Sequence, residues 1–125
     1  MRKEFIICVV LIIIIILGNN ITQKYTENTM EKLIKGLEEI EVKIEDKKEI
    51  EKDIKKVIEE WDNKSHKLAY FIEHNELEKI EKNLLNIENC IKNKGKLDVN
   101  NKIEKTKFLL ENVKNKYKIC LENIF

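Results

Sequence analysis

The chain has 125 residues, with no proline, three glycines, 38% charged residues and 6% aromatics. A β-sandwich, a barrel or an α/β enzyme needs turn residues and apolar strands that this composition lacks, so an all-α chain is expected. Its 24 basic and 23 acidic residues nearly cancel, leaving no field that would draw nucleic acid.

The first predicted element is a membrane segment. Phe5 to Leu17 is an unbroken apolar run of thirteen residues, about 20 Å of helix at about 1.5 Å per residue. A hydrocarbon core is about 30 Å thick and usually takes about 20 residues, so the run is short for a span. It matches the length of a signal-peptide core equally well. Arg2 and Lys3 precede it, and Gly18-Asn19-Asn20-Ile21 follows without an A-x-A-like cleavage site. Cys8 lies inside the run instead of just after it, which argues against a lipoprotein. An uncleaved signal anchor over residues 1–20 is therefore expected, with cleavage and secretion as the alternative. Extending the helix through Ile21 and letting Arg2 and Lys3 snorkel would supply most of the missing length. The positive-inside rule then puts residues 1–4 in the cytoplasm and residues 21–125 outside.

Four amphipathic segments follow. The first carries Leu33, Leu37, Ile40 and Ile44, preceded more weakly by Ile21, Tyr25 and Met30. Ile50, Ile54, Val57, Trp61, Leu68 and Ile72 mark the second, with Ser65 at one seam position. The third shows Leu77, Ile80, Leu84, Ile87 and Ile91. The fourth shows Val99, Ile103, Leu110, Val113, Tyr117, Cys120 and Ile124, with Thr106 on its seam. Alternating three- and four-residue spacing puts these side chains on one helical stripe and leaves the Glu and Lys residues in water.

The breaks predict helices at 20–45, 47–73, 76–94 and 98–123. Asn75 and Glu78 have capping-box spacing, which restarts a helix at Glu76. Lys94-Gly95-Lys96 suits a helix end, and Asp98 suits the next cap. Glu45-Asp46-Lys47 has neither glycine nor proline, so one rod over 20–73 is the alternative there. Such a rod would leave its seam open unless it dimerised. Short connections make neighbours antiparallel, giving an N-terminal anchor helix followed by an up-down bundle of about four helices. Leaving aside the weaker Ile21, Tyr25 and Met30, the seams hold 22 apolar residues, a small core against the entropy of ordering about 100 residues, so a partner or a dimer would help the bundle.

Trp61, Leu68, the run Ile72-Glu73-His74-Asn75-Glu76-Leu77 and the ending Leu121-Glu122-Asn123-Ile124-Phe125 carry a resemblance. The chain resembles a bacterial single-span family known as a domain of unknown function (DUF family four-three-six-three). The resemblance covers essentially the whole chain, although the apolar run is shorter than is usual for such proteins. It implies a single-span membrane protein, with genes often near those of multi-span proteins of the YetF type. It brings no activity, cofactor or catalytic residue.

Glu73-His74-Asn75-Glu76 with Glu78 is the one cluster of potential ligands around a histidine. The predicted break at Asn75 separates His74 from Glu78, and His66 lies about 12 Å away along a helix. Zinc needs three or four ligands, so this run is read as a helix break. Trp61 and Tyr117 are read as packing residues. With a turn near residue 96, Cys90 lies opposite residue 102 or so, leaving Cys120 about 27 Å further along and out of disulfide reach. No serine or cysteine has a base in a plausible position, so an enzyme is not expected and no catalytic, cofactor-binding or metal residue is assigned.

Two functions fit. One is an accessory or interaction subunit on a membrane partner, either a multi-span protein or a second copy. The other is a ligand-binding sensor module. Counting down from residue 96 also brings Ile124 and Phe125 to the membrane-proximal end, beside Tyr70, Phe71, Ile72, Ile21 and Tyr25. Rings are favoured there at a water–lipid interface.

Overall fold

The four stripes fold as helices α1 (Arg2–Val42), α2 (Lys47–Leu68), α3 (His74–Asn93) and α4 (Lys96–Ile124) in a computed structural model. It describes residues 2–70, 72–93 and 95–124, and their side chains apart from Asn19 and residues 118–124. α1 packs on α2 and α4, and α3 packs on the same two. Among the described residues only neighbouring helices approach closely along their backbones, so the elements form an antiparallel ring with the apolar stripes inside.

Every described seam residue except Ile21 and Ser65 lies in or against that core. Leu33, Leu37, Ile40, Ile54, Leu68, Ile80, Leu84, Ile87, Ile103 and Leu110 are almost fully buried, while Ile44 and Tyr117 are half-buried against them. Met30, from the weaker start of the first stripe, is fully buried, and Ile34 and Cys90 join the core from positions beside the stripes. Thr106 is 0% exposed, yet its hydroxyl donates to the Lys102 carbonyl at 2.8 Å, so the hydroxyl donor is satisfied by its own helix.

The expected anchor and the first bundle helix are one element. α1 runs through Gly18 without interruption, because a single glycine costs only about 1 kcal/mol in a helix and no proline is present. Beyond residue 25 α1 packs in the bundle. Below residue 18 its apolar side chains from Phe5 to Leu17 are exposed on every face.

The predicted break near residue 46 is present. The Asp46 carboxylate accepts from the Glu49 N–H at 3.2 Å and caps α2, which excludes the continuous rod. Within the two helices that this break separates, Gly36 allows a close approach: a Cβ in its place would lie 2.7 Å from Val57 Cγ2.

The other boundaries differ from expectation. α2 ends at Leu68, not residue 73, and the Ile72 N–H folds back onto the Leu68 carbonyl at 2.8 Å, burying Ile72. α3 starts at His74, because the Glu73 carbonyl accepts from Glu76 and Leu77; Asn75 lies inside the first turn. α4 starts at Lys96 on the Gly95 carbonyl, which accepts from Val99 at 3.2 Å. Asp98 is thus a first-turn anion favoured by the helix dipole, not a cap. In each case docking of the seam residue just past the turn (Ile72, Leu77 or Val99) outweighs local capping chemistry.

Candidate functional site

The start of α3 at His74 restores the spacing that the expected break would have spoiled. His74 Nε2 and Glu78 Oε1 meet at 3.0 Å one turn apart, both exposed. Among the described residues no three His, Cys, Asp or Glu side chains gather closely enough to hold a metal ion. Trp61 is 2% exposed, in the core. Cys90 is a buried free thiol and Cys8 an exposed one, whereas the side chain of Cys120 lies outside the described residues.

Charge is organised along the α1–α4 seam. Glu31 pairs with Lys114 at 3.8 Å, Glu41 with Lys107 at 2.6 Å, and Glu45 with Lys96, a ladder in antiparallel register. Lys107 also reaches Glu104 at 3.4 Å, so one ammonium serves two carboxylates. Burial pushes Glu41 above its usual carboxylate range, opposed by its bond to Lys107. Glu104 is held below that range by its hydrogen bond with Glu41 and by Lys107. The bond to Glu41 raises Lys107 despite some burial. These residues carry no motif. Their one signal is position, since Glu41, Lys107 and Lys114 each directly follow a seam residue and so flank the apolar stripe.

A polar clasp closes the end of the bundle nearest the apolar half of α1. The Glu73 N–H, unpaired by the helix it precedes, donates to the Tyr117 hydroxyl at 2.8 Å, and Lys116 pairs with Glu76 at 2.8 Å. Burial raises the Tyr117 phenol above its ordinary value, against the Glu73 bond. Tyr117 therefore packs against the core and also ties the α2–α3 turn to α4. On α1 at this end the buried Thr26 and Thr29 hydroxyls donate to the Thr22 and Tyr25 carbonyls at 2.9 and 2.8 Å. The Lys64 ammonium lies 5.6 Å from the centre of the Tyr25 ring.

Of the residues expected at this end, Ile72 is buried, Tyr25 half-buried, and Ile21 and Tyr70 are 69% and 89% exposed. Phe71, Phe125 and the side chain of Ile124 lie outside the described residues. At the opposite end, Ile44, Ile50, Ile91 and Val99 line an apolar cleft rimmed by Lys47 and Lys96.

The chain is thus a four-helix bundle whose first helix extends into a segment long and apolar enough, by length and composition, to cross a membrane. No curated protein and no solved structure matches it. It belongs to the family described as a domain of unknown function, DUF4363, whose model matches residues 20–124. That match covers the bundle and leaves out the apolar run.

Proposed function

We propose that the protein is a non-catalytic, single-pass accessory subunit, anchored by the lower half of α1, whose bundle stands outside the cytoplasm and docks on a membrane partner. One observation carries this reading: apolar side chains from Phe5 to Leu17 are exposed on all faces of a helix that enters the bundle without a break. In water such a surface would be an association site, and in a bilayer it is solvated. Arg2 and Lys3 before the apolar run favour an inside N-terminus. The partner is a multi-span membrane protein or a second copy of the chain.

Affinity purification of the full chain in mild detergent tests the accessory role. A stoichiometric membrane partner or a defined homo-oligomer is expected, and a lone monomer overturns it. Topology is tested separately: intact mass should include residues 1–20, and external protease should cut the bundle on whole cells. A mature species starting near Asn19 or Asn20 would show a cleaved signal instead.

A second reading, a ligand-binding module, is favoured by the apolar cleft at Ile44, Ile50, Ile91 and Val99. A metabolite that raises the melting temperature of the lone monomer, with Val99→Glu abolishing the rise, would support it over the first.

A further inference from the structure

α1 is a continuous helix, so residue number along it measures height above the apolar run. Two contacts with α2 set the relative level of the antiparallel neighbour. Gly36 lies against Val57, and Tyr25 lies under Lys64. Counting thirteen residues down α2 from Val57, or six from Lys64, puts Tyr70 level with residues 19–23 of α1. The last apolar residue of the run, Leu17, is therefore only about 3–9 Å below Tyr70 along the axis.

The apolar run is shorter than the layer it would cross. From Phe5 to Leu17 it spans about 20 Å against a hydrocarbon core of about 30 Å. If the N-terminal side is held at the interface by Arg2 and Lys3, the far edge of the core falls near residue 24 of α1. If the bilayer thins or the basic residues snorkel, the core ends lower and the headgroup layer covers the same residues. Either way the lower rim of the bundle meets lipid. The exposed side chains there suit that layer: Tyr70 is 89% exposed and Ile21 69% exposed among the described residues. Lys24 and Lys67, both exposed, stand at this level with apolar stems and heads that can reach phosphate. Tyrosine is the residue type enriched at this depth, its ring in the apolar boundary and its hydroxyl in water.

We propose that the rim formed by Tyr70 and Ile21 is a lipid-contact surface, seated in the headgroup layer of the same bilayer that α1 crosses. This rests on the anchor reading above. Seated this way, the bundle is held at two points, α1 and the α2–α3 turn, and stands upright.

Quenching in vesicles tests it with the full chain. Trp61 is buried at 2% exposure and provides the background. Three variants each add one indole: Ile12→Trp in the apolar run, Tyr70→Trp at the rim and Leu97→Trp at the far end, where the side chain is 74% exposed. Each is reconstituted in phosphatidylcholine vesicles, with and without bromine on the acyl chains, placed near the headgroup end for Tyr70→Trp and Leu97→Trp and near the methyl end for Ile12→Trp. The expected result is loss of at least about half the added emission for Ile12→Trp and Tyr70→Trp, and none for Leu97→Trp. Quenching of Ile12→Trp without Tyr70→Trp overturns the lipid contact and leaves the anchor intact, the rim then being free for water or a protein. No quenching of Ile12→Trp overturns the anchor and with it this proposal. Equal quenching of Tyr70→Trp and Leu97→Trp means a bundle lying flat on the membrane, which also overturns it.

Discussion

Trp61, the only indole of the chain, is buried in the core cluster, and that environment leaves little beyond packing for it to do. Trp61→Ala should cost about 3–5 kcal/mol by urea unfolding, because neighbouring helices can only partly collapse into the space. A variant of unchanged stability that loses a partner would assign the residue to recognition instead. Lys107 makes a different prediction. Its folded value is raised above 10.5, so its stabilising effect is complete below that pH and is lost as pH rises through the folded value. The buried Tyr117 phenol, raised above 10.0, acts with the same sign, since the unfolded chain ionises first. Glu41 and Glu104 shift in opposite directions and offset each other on the acid side. The urea midpoint should therefore fall from about pH 9 to about pH 11.5, and fall less in Lys107→Gln than in the wild type. An identical fall in both would show that the bridge to Glu41 and Glu104 contributes nothing.

At the scale of elements, α1 and α2 approach over Gly36 more closely than any other residue would allow. Alanine is the better helix former by about 1 kcal/mol, yet its methyl group would meet a β-branched side chain with little rotamer freedom. Gly36→Ala should destabilise the bundle by about 1 kcal/mol or more, the overpacking cost exceeding the propensity gain. In Gly36→Ala with Val57→Ala the two effects should be non-additive, with a favourable coupling of about 1 kcal/mol; additive losses would mean that the helices do not touch there. The same pair of helices shows what sequence patterning can reveal. Leu33, Leu37, Ile50, Ile54, Val57 and Trp61 were legible as core because spacing alone selects one face of a helix. Helix starts were less legible. Asn75 and Asp98 have the chemistry of caps, but burial of Leu77 and Val99 begins the helices earlier, and burial contributes more than a cap. Gly36 gave no signal, because the residue it must accommodate is 21 positions away. The α1–α4 ion pairs stayed hidden for a related reason: choosing Lys107 for Glu41 requires the antiparallel register, which only the packed ring sets.

At the scale of the whole molecule, the two halves of α1 share one backbone, with no loop to swivel between the apolar run and the bundle. In the anchored reading the bundle is therefore keyed in azimuth to whatever α1 faces inside the membrane. Each residue added between Gly18 and Asn20 turns the bundle by about 100° and lifts it by about 1.5 Å. Two inserted alanines should swing its docking face by about 200°, whereas seven should return it to within about 20° while raising it about 10 Å. If a partner reads facing, co-purification should fail with two alanines and recover with seven, while the urea midpoint of the bundle stays the same in both. Failure with both means that the partner reads height; success with both means that the joint bends. If α1 is the anchor proposed above, an unbroken helix makes it an index of direction as well as a tether: what α1 touches among lipids would decide which side of the bundle a neighbour meets in water.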